Sequence, residues 1–387
     1  MEIPGKRLLN SSNLKAPIID LLSSASAIVV GLLVGLMILL ISNAGQAFGG
    51  FRAILTSGFS NMRELGQVLY FATPIIMTGL SVGFSSRTGL FNIGASGQFI
   101  TGAYAAVLVG VKCDFLPGNL HWICALLAAM LAGALWGAIP GFFKAFFNVN
   151  EVIACIMTNY VGMYLVNFLI TKTIHNPLQN QTMRVSDNAN LPKLGFDKIF
   201  REGYSISSAN SGIVFAIIFA VLIYIILEKT SFGYELKACG YNREAAHYAG
   251  INERRCIVSS MVIAGAMSGL GGAFLFLAGS GKGITVVDVL AAEGFNGIPV
   301  ALLGLNNPIG IVFSGLLVAY LTVGGFNMQL YNFAPQVIEI IIAVIIYFSA
   351  FALLLKGFFS SLKKRRNPPP SPTTRERSGE VPPRSEL

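Results

Sequence analysis

The sequence predicts an all-α, polytopic membrane protein with about ten transmembrane helices, two of them broken or re-entrant. Three observations carry that expectation. Hydrophobic residues make up 54% of the 387 residues, whereas charged residues make up only 12%. Mean hydropathy is +0.66, far above what a soluble domain needs. The apolar residues also come in runs of about 20, the helix length that crosses roughly 30 Å of hydrocarbon. A soluble multidomain enzyme is thereby excluded.

The elements follow in order. Lys6, Arg7 and Lys15 precede an apolar run over 27–41, the charge order of a signal peptide. Because more spans follow, this run reads as an uncleaved first helix after a cytoplasmic segment, 1–26. Further runs cover 66–84, 90–111, 122–143, 152–171, 211–227 and 256–278. A run at 295–305 is too short to span alone, and runs at 308–323 and 335–355 complete a transmembrane domain over 27–356. Ten crossings place both termini on one side, and the positive-inside rule makes that side the cytoplasm. The loop 228–255, with Lys229, Lys237, Arg243, Arg254 and Arg255, then falls inside, and the Asn- and Pro-rich connection 172–210 falls outside. From Lys363 onward the chain holds seven Lys or Arg against three Glu. That excess carries much of the formal charge of +9 and speaks of membrane orientation rather than of nucleic acid. The segment 357–387, rich in Pro, Ser, Thr and charge, reads as a disordered basic tail.

Inside the spans, polar or helix-breaking residues matter most, because unsatisfied polar groups in hydrocarbon are costly. The first break runs from Arg87 to Gln98 and holds Gly89, Phe91, Asn92, Gly94 and Gly97. The second runs from Glu293 to Pro299 and holds Phe295, Asn296 and Gly297. If ten crossings divide as five plus five, the breaks open equivalent helices of an inverted repeat, the arrangement that points to a translocation site near the bilayer midplane. Asn92 and Asn296 would then stand at half-helix N-termini, and their amides with Gln98 would bind a polar solute. The competing reading has the glycines allow close packing and the amides bond across helices. Packing is the expected role of Gly133, Gly137, Gly141, Gly265 and Gly269. On the fifth helix Asn159 precedes a Tyr160, Tyr164, Asn167 stripe expected to face the interior, either lining a path or tying helices together.

Catalytic chemistry lacks material. Three histidines lie in unrelated settings, and neither HExxH nor GxSxG occurs. Five scattered cysteines without CxxC spacing make a zinc site or disulfide framework an unsuitable reading. Gly279 to Gly283 departs from a phosphate loop and reads as a loop at a helix end. Glu339 is the clearest ionisable group within a span, too little for a carboxylate proton relay. In the cytoplasmic loop, Asn242 as N-cap, Glu244 in the first turn, Ala245, Ala246 and Ala249 as helix formers and Gly250 as terminator predict a helix of about two turns. Such a helix suits a groove on a cytoplasmic partner or, alternatively, a rest on lipid headgroups.

Four ordered motifs carry a family resemblance: Gly89 to Gln98, Asn150 to Ile153, Lys237 to Ile251, and Phe295 to Gly304. Over about 65–355 the chain resembles ABC importer permeases of the ribose and branched-chain amino acid permease superfamily, of nucleoside or simple-sugar type. The resemblance implies a permease subunit in the inner or cytoplasmic membrane that pairs with a second permease, expected to be a different chain. It also implies a cytoplasmic ABC ATPase, an external solute-binding protein or lipoprotein, and lipid as surroundings. By that analogy Gly240 to Gly250 docks on the ATPase. ATP would be used by the partner, with no cofactor bound by this chain, and the chain would not itself be an enzyme. Alternating access would move an uncharged polar solute, a purine nucleoside first, with riboflavin or a sugar such as ribose as alternatives. Phe91 and Phe295 are candidate stacking surfaces. An ion-coupled secondary transporter is the rival from another class.

Overall fold

The computed structural model describes residues 15–350 and is mostly helical, with two short hairpins in one connection. The expected tail at 357–387 and the residues before 15 lie outside the described residues. Helix α1 (Lys15–Asn43) starts well ahead of its apolar run. It is followed by α2 (Ala47–Thr56), α3 (Met62–Arg87), α4 (Ala95–Lys112), α5 (Gly118–Phe147) and α6 (Glu151–Thr173). The connection after α6 holds the hairpins β1 (His175–Asn176) with β2 (Gln181–Thr182) and β3 (Arg201–Glu202) with β4 (Ser205–Ile206), with the single turn α7 (Phe196–Ile199) between them. Then come α8 (Gly212–Lys229), α9 (Ser231–Tyr241), α10 (Arg243–Tyr248) and α11 (Glu253–Phe276). The chain continues through α12 (Ala292–Phe295), α13 (Gly297–Leu303), α14 (Pro308–Met328) and α15 (Pro335–Ala350). Among the described residues, six helices are long and apolar enough to cross a membrane: α3, α5, α6, α8, α11 and α14.

Local signals set the helix starts. Asn61 caps α3 by accepting the Glu64 N–H at 2.8 Å, and Asn150 caps α6 through Val152 at 2.9 Å. Asn252 does the same for α11 through Arg255 at 3.1 Å. Each satisfies a backbone donor that hydrocarbon could not.

Helices α3 and α11 form the centre, with most of α3 buried in the protein rather than facing outward. Lipid gives no hydrophobic drive between helices, so close approach of backbones must hold them. The α5–α11 seam does this with glycine: a Cβ at Gly137 would strike the Met261 carbonyl, and one at Gly265 would strike Gly133. The packing role expected of these glycines is met. Helix α4 joins the seam where Gly102 lies on Gly269. On the other side α3 receives α13 and α14, with Gly79 against Val300 and Gly315 against Ile76. Helix α2, which the sequence reading did not foresee, packs the Ile54 backbone on α14 at Gly324.

Candidate solute cavity and coupling surface

The first break follows α3. Gly89, at φ +75°, turns the chain, and a Cβ there would stand 2.5 Å from the Cα of Gly240 in α9. Asn92 is fully buried and faces Gln98. Its Nδ2 donates to Gln98 Oε1 at 2.8 Å, and Gln98 Nε2 donates back to Asn92 Oδ1 at 3.1 Å. Asn92 Nδ2 also donates to Ser81 on α3 at 3.2 Å. Buried Asn159 on α6 closes the remaining backbone: its Oδ1 accepts the Gly97 N–H at 2.8 Å, and its Nδ2 donates to the Ile93 carbonyl at 3.0 Å. The cross-helix bonding alternative therefore describes these amides. Nor is Asn92 a helix cap, since α4 begins only at Ala95 with Gly94 before it.

The second break behaves differently. The chain leaves α11 through a loop with Gly279 and Gly281 at positive φ, then forms α12 and α13 in succession. Glu293, Asn296 and Pro299, spaced by three on one face, border a cavity of about 710 Å³. Phe295 falls off that face, so it and Phe91 are absent from the lining. The aromatic side chains that line the cavity are Phe71 on α3, Phe326 on α14 and Tyr347 on α15. Phe71 and Phe326 stand 5.4 Å apart between ring centres. Thr322 and Gln329 add polar groups from α14, and Glu339 adds one from α15. Lys282 reaches Glu293 at 3.3 Å and lies 5.8 Å over the Phe276 ring. The cavity is a mainly apolar and aromatic space with a few convergent polar groups, the composition of small-molecule sites.

The breaks touch. Ser96 Oγ donates to the Ala291 carbonyl at 2.9 Å, and Gly294 lies against the Ser96 backbone. Thr78 Oγ1 donates to the Glu293 carbonyl at 3.2 Å, and Arg87 Nε donates to the Asn306 carbonyl at 3.1 Å. The loop between α8 and α11 bears on the first break through Gly240, packed on Thr88 and Gly89. In that loop Asn242 Oδ1 accepts the Ala245 N–H at 3.0 Å, capping α10. Gly250, at φ +82°, ends it, with its N–H on the His247 carbonyl at 2.9 Å. Ala246 is buried, whereas Glu244, Ala245 and Ala249 are exposed and Tyr241 and Tyr248 stand almost fully in solvent.

One expected stripe is corrected. Tyr160 and Tyr164 face outward from this chain's bundle, 49% and 56% exposed, because α6 sits at its edge and turns Asn159 inward. Asn167 instead holds the loop after α11, through the Val287 carbonyl at 2.9 Å and Asp288 at 3.2 Å. Of the residues expected along a path, Asn296 alone borders the cavity, while Asn92, Gly94, Gly97, Gln98 and Asn159 form the closed first break. Phe71, Lys282, Thr322, Phe326 and Gln329 were missed. Lys282 was visible as a charge between glycines, and the others carry no sequence signal beyond lying in apolar runs.

Residues 65–350 match the family model described as branched-chain amino acid transport system / permease component. The chain is 38% identical over 325 residues to the guanosine ABC transporter permease protein NupP of Bacillus subtilis (strain 168), covering 84% of this chain and 91% of that protein. It is 33% identical to the nucleoside ABC transporter permease protein NupB of Lactococcus lactis subsp. cremoris (strain MG1363), over 84% of this chain and 89% of that protein. It is also 33% identical to the glucose ABC transporter permease protein TsgB13 of Haloferax volcanii, over 77% of this chain and 78% of that protein. No solved structure matches.

Proposed function

This chain belongs to the permease components of the branched-chain amino acid transport system family, and we propose that it carries nucleosides inward through the cavity beside its second break. It is a multi-pass membrane protein and a transport subunit rather than an enzyme, and its family implies an ATPase and other ABC components. The ion-coupled secondary transporter gives way to this family membership.

The cavity is the observation that carries the proposal. Its roughly 710 Å³ falls within the range of about 300–1,000 Å³ that small-molecule sites occupy. Aromatic walls suit a base, and Asn296 with the Lys282–Glu293 pair suits ribose hydroxyls. The permease relatives named for guanosine and for nucleosides support that solute class. The glucose permease relative favours a simple sugar as the second reading.

In the proposed assembly the chain crosses ten times from a cytoplasmic N-terminus, within a domain over 27–356, in the cell's inner or cytoplasmic membrane. A five-plus-five inverted repeat is supported by its neighbours: α11 packs on α4 and α5 of the first half, as α3 packs on α13 and α14 of the second. Gly240 to Gly250 meets the ATPase, with Asn242 and Gly250 defining α10 and Glu244, Ala245 and Ala249 offering its outer face. A second, different permease and an external binding protein or lipoprotein complete the importer. The chain binds no cofactor, and ATP acts in the partner. ATP-driven closure of the ATPases moves α10, Gly240 moves Gly89 with it, and the Ser96–Ala291 contact passes the displacement to the cavity.

The test is uptake of radiolabelled guanosine, adenosine, ribose and riboflavin by proteoliposomes holding the chain with its ATPase and second permease, with binding protein supplied. ATP-dependent nucleoside uptake that is lost when Glu244 and Ala245 are replaced by bulky residues is the expected result. Uptake without the ATPase, or driven by an ion gradient alone, would overturn the proposal.

A further inference from the structure

Two carboxylates border the cavity, and they are differently engaged. Glu293 is neutralised by Lys282 at 3.3 Å and sits on the α12–α13 wall with Asn296. Glu339, on the α15 wall, makes no hydrogen bond or ion pair among the described residues. It belongs to a stripe of α15, in which Glu339, Ala343 and Tyr347 recur at a spacing of four and all face the cavity. That stripe spans roughly 12 Å of helix, about the length of a purine with its ribose. The alanine at its middle leaves room for a flat ring between a carboxylate and an aromatic.

A carboxylate is an acceptor on both oxygens, and its best neutral partner presents two parallel donors. Among common nucleosides only guanine offers adjacent N1–H and N2–H groups on one edge. Adenine sets an acceptor beside its amine, and uracil flanks its single N–H with two carbonyls, so each would turn a lone pair toward the carboxylate. We propose that Glu339 selects guanine among the nucleobases by accepting these two N–H groups, with the ribose directed toward Asn296 and the Lys282–Glu293 pair. The proposal rests on the nucleoside reading above and deepens it.

The experiment measures ATP-driven uptake of guanosine, inosine, adenosine and 2′,3′-dideoxyguanosine by the assembled importer, for the native chain and for Glu339→Gln and Glu339→Asp. Inosine keeps N1–H and lacks the 2-amino group. The native importer should favour guanosine over inosine by about tenfold, the discrimination expected of one bidentate contact. In Glu339→Gln that preference should collapse, and adenosine should rise relative to guanosine, because a carboxamide pairs an acceptor with a donor as adenine's edge requires. Glu339→Asp should keep the order of preference. Equal uptake of guanosine and inosine by the native importer overturns the proposal without any variant, which covers failure of Glu339→Gln to assemble. An unchanged preference in Glu339→Gln overturns it too. So does a Glu339→Gln variant that loses instead its discrimination against dideoxyguanosine, since the carboxylate would then hold the ribose diol. If the native importer moves no nucleoside, the nucleoside reading itself fails, an outcome distinct from all of these.

Discussion

The two broken segments begin alike, each with a Phe-Asn pair followed by glycine within two residues, yet they end in opposite states. At the first, Asn92 pairs with Gln98 and Ser81 while Asn159 takes the Gly97 N–H and the Ile93 carbonyl, and the segment is sealed. At the second, Asn296 and Glu293 border open space. Hydrocarbon allows non-helical backbone in two circumstances, buried in protein or lining a cavity, and this chain uses one for each break. The sealed break lies beside the capped loop that carries α10, and the open one lies beside the aromatic walls. In the proposed mechanism the sealed segment transmits force while the open one meets solute, and the Ser96 to Ala291 hydrogen bond joins them.

Substitutions can break or sharpen this contrast. The largest effect is expected from Gly89→Val, which adds a side chain to a left-handed residue and forces it against Gly240. Left-handed strain of about 1–2 kcal/mol and overpacking of about 1–3 kcal/mol act together. The variant should be recovered poorly from membranes and should melt well below the native protein; a native melting temperature would mean that the two backbones do not press together. Next comes Asn92→Ala, which strands the Gln98 amide in a buried site at a cost of about 1–3 kcal/mol. Adding Gln98→Ala to Asn92→Ala should cost less than the sum of the single changes in thermal unfolding, because the two amides satisfy each other. Strict additivity would break the picture of a closed pair. Asn296→Ala should change stability by no more than about 0.5 kcal/mol yet reduce nucleoside uptake severalfold, and a large melting shift with native uptake would reverse the roles of the two breaks. A similarly small stability effect belongs to Lys282→Met. Its partnership with Glu293 is 44% and 32% exposed, a class of ion pair worth about 0–1 kcal/mol. Its melting curve should overlay the native one.

Much of this was legible in the sequence. Helix α10 was read with its cap and terminator because those signals sit within nine residues and depend on nothing distant. The glycine seam was read because a spacing of four fixes a helix face. Both breaks were located, since Gly, Asn and Gln cannot rest in hydrocarbon unassisted. Which break closes was not legible, because Ser81 and Asn159 come from other helices and only the fold brings them to Asn92 and Gly97. The cavity escaped for the same reason: its walls come from α3, α12–α13, α14 and α15, and a Phe in an apolar run looks the same whether it faces lipid or solute. Helix α2 carries Gly49 and Gly50, poor helix formers whose place in a helix shows only in the fold, where Gly50 packs beneath Phe333.

The closed amide pair at Asn92 and Gln98 has a consequence for the cell's energy economy. An importer sits in a membrane that holds a proton-motive force, and a polar gap between helix ends invites a file of water along which protons hop. Here the two side chains satisfy each other, so neither amide depends on water for a partner. A break in the helix near the coupling loop thus carries its own hydrogen-bond partners, which works against a water file forming there.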